Sequence, residues 1–385
     1  MTRKICIPMT TRGNYAKMKS VIASIVAAGD DLEAQLVVGG SAILDKYGNI
    51  IEALEDENLP VSRRIHFVVE GETPVTMAKS AGLAITEFST AFEDLKPDVV
   101  VVIGDRFEAL PISIAASYMN IPVAHVEGGE ISGSIDGSIR HAITKMAHIH
   151  FPATDGARAR IIKLGEDPET VYNVGCTSLD VIRTFQREPV TDFNAIQETM
   201  GVGPRLDFSQ PHLVVIQHPV TTEYQQNLAH IRETLIAISR IGMNTAWIWP
   251  NMDAGSDGVS KGIRQFRERE RPHYIRFFKS LPIEYYAPIL QSAACIVGNS
   301  SSGIRESSFL GVPCVNIGTR QLGRERGRNV KDVDYRADAI EASIRQQIAH
   351  GCYPPDHIYG DGQSGQRIVD FLSACDLTYN KKMAF

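Results

Sequence analysis

Short, continuous apolar runs alternate with longer amphipathic segments through the first half of the chain. The runs are apolar at every position, so they predict strands that are buried on both faces, as in a parallel sheet. The predicted strands are KICIPM, AQLVVGG, DVVVVIGD, IPVAHVEGG, HIHFPAT and VYNVG. The predicted helices cover residues 14–28, 74–94, 107–119, 138–146, 154–164 and 178–186. Strands that alternate with helices indicate an open, doubly wound α/β sheet.

The alternation stops and then resumes in the second half. Residues 187–211 are polar and contain three prolines, which predicts a linker. The later predicted strands are HLVVIQHP, TAWIWPN, HYIRFF, CIVGNSSSG and VPCVNIG. The later predicted helices cover residues 222–240, 258–270, 284–292, 303–309 and 362–374. We therefore expect two Rossmann-like parallel-sheet domains, residues 1–186 and 212–361, and a final helix within 362–385.

Composition and length agree with this division and exclude several functions. A chain of 385 residues is too long for one ordinary core, because domains usually have roughly 100–200 residues. A net charge of −6 without a basic block argues against nucleic-acid binding. No run of about 18 apolar residues predicts a membrane span, and the N-terminal apolar stretch is too short for a signal peptide. The six scattered cysteines are predicted to be buried free thiols, so a cytoplasmic protein is expected.

Polar clusters follow the predicted strands in both halves. They are TTRGNYAK, GDRFE, EGGEISGSID, QHPVTT, PNMDAGS, GNSSSGIRE and GTRQLGRE. Ligands of open α/β sheets bind beyond the carboxyl ends of the strands. We therefore expect these clusters to surround one interdomain cleft.

Several of these clusters are suited to a diphosphate. In GNSSSGIRE, the backbone and hydroxyls of Ser300, Ser301 and Ser302 can cradle a phosphate at the start of a helix. A plain N-cap is the alternative, because serine is favoured there in any case. Basic side chains that can bind phosphate, or instead form ordinary ion pairs, are Arg12, Lys17, Arg106, Arg320 and Arg324.

Acidic side chains in the first half indicate proton chemistry. Asp105, Glu127 and Asp136 all follow predicted strands, and carboxylates that only bound a diphosphate would repel it. They are better explained as acids and bases that act on the group attached to the phosphate, although Asp105 and Asp136 can also be N-caps. They form no D-D-x-x-D motif, so no metal is expected. His218 ends the first strand of the second half, where a ligand role competes with a structural one.

These motifs resemble those of the hydrolysing UDP-N-acetylglucosamine 2-epimerases. The matching stretches are GDRFEA, HVEGGEISGSIDGSIRHAITKMAH, QHPVTT, PNMDAGS, GNSSSGIRE, GTRQLGRE and IYGDG, and the resemblance covers about residues 4–374. It implies a GT-B-type fold in which the last helix crosses back onto the N-terminal domain, and a homodimer or homotetramer. The implied reaction needs no cofactor. A base removes the C2 proton, UDP leaves C1 by anti elimination, and the resulting 2-acetamidoglucal is hydrated to N-acetylmannosamine.

The resemblance also implies individual roles. Asp105, Glu127 and Asp136 are expected to be the catalytic carboxylates, and His218 to contact the diphosphate and serve as a candidate acid for departing UDP. Glu306 is expected to bind the ribose. The expected diphosphate or sugar contacts are Arg12, Lys17, Arg106, Ser301, Ser302 and Arg320. Asn251 and the backbone near Leu281 are expected on the uridine side.

Two departures from the family pattern keep other substrates open. The first loop reads RGNY where the family usually has R-A-D-Y, and Ser41 and Ala42 stand where relatives carry a histidine near the sugar. One alternative is a hydrolase of UDP-2,4-diacetamido-2,4,6-trideoxyglucose, as in legionaminic-acid pathways. A GT-B glycosyltransferase and a non-catalytic nucleotide-sugar sensor are the others. QHPVTT favours hydrolysis, because non-hydrolysing relatives usually carry text like GHRRE at that point.

Overall fold

The computed structural model describes two compact α/β units. The described residues are 2–47, 49–71, 73–133, 135–187, 193–251, 253–377, 381 and 384. The first unit consists of Met1–Ile131, Ile135–Val181 and Tyr359–Phe385, and the second of Ile182–Ile358 with Ser132–Ser134.

The first unit contains a parallel sheet whose strand order reverses in the middle. Its strands are β1 (Arg3–Met9), β2 (Leu32–Val38), β3 (Val61–Arg64), β4 (Val99–Ile103), β5 (Val123–Val126) and β6 (Ile149–Phe151). Its helices are α1 (Arg12–Ala27), α2 (Ile51–Asp56), α3 (Pro74–Leu95), α4 (Ala109–Tyr118), α5 (Asp136–Met146) and α6 (Asp155–Lys163), and α7 (Thr177–Arg187) begins in this unit. The order β3-β2-β1-β4-β5-β6 places the switch point between β1 and β4.

The second unit repeats this topology. Its helices are α8 (Phe193–Met200), α9 (Asn227–Ile241), α10 (Ser256–Glu270), α11 (Ile283–Gln291), α12 (Glu306–Leu310) and α13 (Ala337–His350). Its strands are β7 (Gly201–Val202), β8 (Leu213–Ile216), β9 (Thr245–Ile248), β10 (Ile275–Phe278), β11 (Cys295–Gly298), β12 (Cys314–Ile317) and β13 (Val330–Val333). The order is β13-β12-β11-β8-β9-β10-β7, so the switch point lies between β8 and β11. Among the described strands of this sheet, only β7 runs antiparallel, at the edge beside β10.

The last helix, α14 (Ser364–Ala374), belongs to the first unit and packs against α1. Asp180 anchors its beginning, because its carboxylate accepts the backbone N–H groups of Ser364 at 2.9 Å and Gly365 at 2.6 Å. The two helices approach closely at Gly365, where an added Cβ would lie 2.8 Å from the backbone of Ser20. The chain therefore returns to the unit in which it began.

Burial explains why the apolar runs form strands. All five residues of β4 (VVVVI) are buried, and helices cover both faces of the sheet. One face packs against α1 and α14 through residues such as Met18 and Leu372, and the other against α3 through Phe88 and Phe92. The predicted helices of the first half lie within two residues of their observed ends.

Several predictions differ from the structure. VYNVG is not a strand, since only Val171 forms an isolated bridge, to His150. The predicted linker contains α8 and β7, which belong to the second unit. Four further elements were not predicted: β3, β13, α2 and α13. The strands β3 (VSRR) and β13 (VKDV) are too polar to be recognised as buried strands from the sequence.

The cysteines and the helices bear on the predicted cellular environment. Each of the six cysteines is free, but Cys352 is exposed and Cys375 only half-buried, so the prediction of burial is wrong for these two. Within the described ranges, no helix has the length and apolar character that crossing a membrane requires.

Candidate functional site

Glu127 lies directly after β5 in a constrained turn of the first unit. Its backbone adopts a left-handed φ of 62°, which is uncommon for a residue with a side chain and typical of functional sites. Its N–H donates to the carbonyl oxygen of Phe151 at 2.9 Å, which ties the turn to the neighbouring strand. Gly129 completes the turn, since a Cβ there would lie 2.4 Å from the carbonyl oxygen of Ala157.

The Glu127 carboxylate is buried and held at both oxygens. Lys17 of α1 places its Nζ 2.7 Å from Oε2. The thiol of Cys176 lies 3.2 Å from Oε1. Only 1% of Glu127 is exposed, so the ammonium of Lys17 offsets part of the cost of burying this charge. Lys17 was expected to contact the diphosphate or the sugar; its Nζ lies on this carboxylate, and the expected ligand role stays a prediction.

Asp105 follows β4 at the switch point and is paired with a buried arginine. Arg140 of α5 is 1% exposed and forms an ion pair with the Asp105 carboxylate. Its second nitrogen donates to the carbonyl oxygen of Glu130 at 2.6 Å. Arg140 therefore connects the loop after β4 with the loop after β5.

A buried histidine supports the turn that carries Asp105. Nε2 of His125 donates to the carbonyl oxygen of Gly104 at 2.8 Å, and Nδ1 lies 3.3 Å from the hydroxyl of Thr144 on α5. Burial lowers the pKa of His125 to about 4, so the ring is neutral near pH 7. A neutral ring can make both contacts without adding a positive charge beside Arg140.

Three further residues expected at the site lie at the same edge of the first sheet. Arg12 and Asp136 are the first residues of α1 and α5, and both are half-buried. Arg106 forms an ion pair with Glu108 at 3.3 Å. Glu108 is fully buried and was not predicted, because one more acid in GDRFEA gives no signal of burial.

In the second unit, Asn299 organises the switch point between β8 and β11. It is 1% exposed, its Oδ1 accepts the N–H of His218 at 2.7 Å, and its Nδ2 donates to the carbonyl oxygen of His218 at 2.9 Å. The carbonyl of Asn299 itself accepts from Arg320 at 3.1 Å and from Gln321 at 2.8 Å. Asn299 and Gln321 were not predicted.

His218 is oriented by the backbone. Its Nδ1 accepts a hydrogen bond from the N–H of Asn251 at 3.2 Å. A neutral ring that accepts at Nδ1 carries its proton on Nε2. His218 therefore offers Nε2–H as a hydrogen-bond donor.

The serine cluster lies directly before α12 and includes the N-cap that was the alternative to a phosphate cradle. Ser300 accepts the N–H of Ser302 at 3.3 Å, which is the capping role, and the hydroxyl of Ser302 contacts Tyr286. Ser301–Gly303 form a separate 3₁₀ turn, and α12 begins only at Glu306. The serines therefore precede the helix, as in the prediction of a helix over 303–309, and their phosphate-binding role stays a prediction.

Glu306, the first residue of α12, is a buried acid. It is 7% exposed, and its Oε2 has no hydrogen-bond partner among the described groups. A buried carboxylate oxygen without a donor is costly, so this atom is suited to a ligand hydroxyl.

The uridine-side residues have mixed environments. Asn251 is half-buried and donates to Asp253 at 2.5 Å, whereas the side chain of Leu281 belongs to the hydrophobic core. The predicted ligand roles of all these residues stay predictions. Across the part of the chain that the structure describes, no three His, Cys, Asp or Glu side chains are grouped to hold a metal ion.

Two doubly wound units with polar clusters beyond their switch points define the GT-B-type class of α/β proteins. A solved structure of the UDP-GlcNAc 2-epimerase from Neisseria meningitidis, bound to UDP-GlcNAc, has this fold. It aligns with a TM-score of 0.78 at 17% identity, over 96% of this chain and 99% of that chain. The predicted fold class is confirmed.

Sequence comparisons show the family. The family model described as UDP-N-acetylglucosamine 2-epimerase matches residues 25–373. The UDP-N,N'-diacetylbacillosamine 2-epimerase (hydrolyzing) of Legionella pneumophila is 31% identical over 98% of this chain and 97% of that protein. The UDP-N-acetylglucosamine 2-epimerase of Neisseria meningitidis is 31% identical over 94% and 92%. The chain belongs to the UDP-N-acetylglucosamine 2-epimerase family and is a UDP-sugar 2-epimerase, which confirms the predicted family.

Proposed function

We propose that the protein is a hydrolysing 2-epimerase that releases UDP and the free 2-epimeric sugar from a UDP-sugar. The observation that carries the proposal is the pairing of two carboxylates with cations, Glu127 with Lys17 and Asp105 with Arg140. A cation beside a carboxylate favours the anion, which is the form that accepts a proton. These two groups are therefore the candidate bases for C2, and Asp136 is the candidate for returning a proton to the glycal.

The second unit supplies groups suited to the leaving nucleotide. Nε2–H of His218 can donate to a diphosphate oxygen, where negative charge develops as the C1–O bond breaks. Arg320 supplies positive charge near the same switch point. The unpaired Oε2 of Glu306 can accept a ribose hydroxyl. Such donors lower the barrier most if they bind the departing UDP more strongly than the bound substrate.

We further propose that the sugar is a 2,4-diacetamido-2,4,6-trideoxyglucose. The Legionella pneumophila relative, whose name describes this substrate, supports the proposal. The loop after β2 supports it as well, because Ser41 and Ala42 are small where the family usually carries a histidine. Both residues are buried. Ser41 donates to the carbonyl oxygen of Thr10 at 3.2 Å, and this hydrogen bond holds the loop in place. A smaller loop leaves room for an acetamido group at C4.

UDP-GlcNAc is the second candidate substrate, because the Neisseria meningitidis relative is equally identical to this chain. The test offers each UDP-sugar separately to the purified protein in deuterated water and follows the products by proton NMR. We expect free UDP and a C2-deuterated manno-configured sugar. We expect kcat/KM to be about tenfold higher or more for the diacetamido sugar, the size of effect that a matched pocket gives.

The outcomes separate reaction from substrate. Release of UDP without deuterium at C2 would contradict the elimination mechanism. Turnover of UDP-GlcNAc alone would keep the reaction and overturn the diacetamido substrate. A sugar transferred to an added acceptor, with no free 2-epimer, would favour a glycosyltransferase.

A further inference from the structure

Cys176 is a buried thiol in direct contact with Glu127. Its Sγ lies 3.2 Å from Oε1, while Lys17 occupies the other carboxylate oxygen. Cys176 is 0% exposed and Glu127 is 1% exposed. The thiol is therefore a local donor to a charged oxygen, and hydrogen bonds to charged groups are about twice as strong as neutral ones.

The position of Cys176 is set by the segment that returns to the first unit. Its N–H donates to the carbonyl oxygen of Tyr359 at 2.7 Å, and its Sγ is 3.1 Å from the hydroxyl of Ser178. Gly175 lets the two segments approach, since a Cβ there would lie 2.9 Å from the hydroxyl of Ser364. The C-terminal segment thus fixes the thiol that contacts the carboxylate.

Two other roles for this thiol fit the structure less well. A nucleophilic or redox-active cysteine must be accessible, and Cys176 is fully buried. A purely apolar filler does not need a carboxylate oxygen beside its sulfur, and free cysteines usually pack among apolar groups. The contact with Glu127 is the feature that packing alone leaves unexplained.

We propose that Cys176 is a positioning residue that holds the Glu127 carboxylate in the orientation required for proton transfer. The proposal rests on the proposed function, in which Glu127 exchanges a proton with the sugar. Cys176 acts through Glu127 and does not touch the substrate. Its loss should therefore lower kcat and change the pH profile of kcat, and should leave KM nearly unchanged.

The test compares variants that remove the donor with one that keeps it. Cys176→Ala and Cys176→Val cannot donate, and valine also fills the space, whereas Cys176→Ser keeps a donor. We expect kcat to fall about 10- to 100-fold for the first two, with KM within about threefold, and less than about fivefold for serine. Cys295→Ala is the matched control, because Cys295 is an equally buried thiol in β11 of the second unit.

The results distinguish this inference from the proposed function. If the wild-type protein releases no UDP from either sugar, the proposed function fails. If the wild-type protein is active, and both Cys176→Ala and Cys176→Val keep kcat within twofold, Cys176 only fills space. An equal loss in the serine and alanine variants overturns the inference as well. A thermal-unfolding curve identifies any variant that does not fold. If either Cys176→Ala or Cys176→Val fails to fold, the kcat of the other is compared with that of the wild type.

Discussion

The switch points of the two units have the same topology but are held by different interactions, ion pairs in the first unit and hydrogen bonds of a buried amide in the second. In the first unit, ion pairs dominate, and Glu127, Asp105 and Glu108 each contact a cation. In the second unit, Asn299 forms hydrogen bonds with the backbone of His218 and with Gln321. The repeated sheet order places polar residues beyond both switch points, but the side chains decide what each can do.

This difference has an energetic consequence. Removing one partner of a buried ion pair leaves an uncompensated charge, and the cost is typically about 3–5 kcal/mol. A neutral buried hydrogen bond costs less to lose, about 1–3 kcal/mol. Variants that break a first-unit ion pair should therefore lower stability as well as change the chemistry, whereas variants of the second unit should lower stability by less and should weaken nucleotide binding.

The largest effect is expected from isosteric loss of a first-unit carboxylate. Glu127→Gln or Asp105→Asn should lower kcat at least about 1,000-fold, because the proton acceptor is lost while Lys17 and Arg140 remain charged. UDP should still raise the melting temperature, since the proposed nucleotide contacts belong to the second unit. Rates of UDP release and thermal shifts measure the two effects.

Glu57→Gln is the control for this pair of variants. Glu57 pairs with Lys19 of α1 at 2.6 Å, but both side chains are about one-third exposed. An exposed pair contributes about 0–1 kcal/mol, so this variant should behave like the wild type. If the Glu127→Gln variant kept a tenth of the wild-type activity, Glu127 would not be an essential proton acceptor, and the proposed catalytic role of the first unit would be wrong.

A smaller effect is expected from Asn299→Ala in the second unit. The variant removes the two hydrogen bonds that the Asn299 side chain makes to the backbone of His218, so it should lower the free energy of unfolding by about 2–4 kcal/mol. It should also weaken UDP binding. Both tryptophans of the chain, Trp247 and Trp249, lie at β9, so tryptophan fluorescence in denaturant reports on this unit.

Asn244→Ala serves as the comparison, because its side chain makes one longer bond, 3.3 Å, to the carbonyl oxygen of Asp207. We expect it to change the free energy of unfolding by less than about 1 kcal/mol. Equal unfolding curves for the two variants would show that Asn299 does not organise the switch point.

The smallest expected effect is a loss of stability of the first unit at low pH. Burial lowers the pKa of His125 from about 6.5 to about 4, so the unfolded chain binds more protons between these values and stability falls as the pH falls. From pH 7 to pH 5 the loss from this group is about 2 kcal/mol. Burial also lowers the pKa of His150, which acts in the same direction.

His125→Gln should flatten this pH dependence by about the same amount, since glutamine does not titrate. Denaturant unfolding followed by far-UV circular dichroism at several pH values measures the difference. If the wild type and the variant lose equal stability between pH 7 and pH 5, His125 is not the group responsible.

Local pattern was enough for most of the fold. Thr73 is the N-cap of α3, where its hydroxyl accepts the N–H of Thr76, and α3 begins at Pro74, so the start of the helix is visible in the sequence. β4 is an unbroken apolar run, and its burial follows from that composition. β3 was missed because an edge strand needs no apolar run, and three of its four residues are exposed.

The sequence by itself determined where strands and helices alternate, and that Asp105, Glu127 and Asp136 follow strands. Only the tertiary structure decided their partners. Lys17 is 110 positions from Glu127, Cys176 is 49 positions from it, and Arg140 is 35 positions from Asp105. Secondary structure follows from interactions among near neighbours, whereas an ion pair depends on which strands lie side by side. For that reason the pairing of Lys17 with Glu127 could not be predicted from the sequence, whereas the strand that carries Glu127 could.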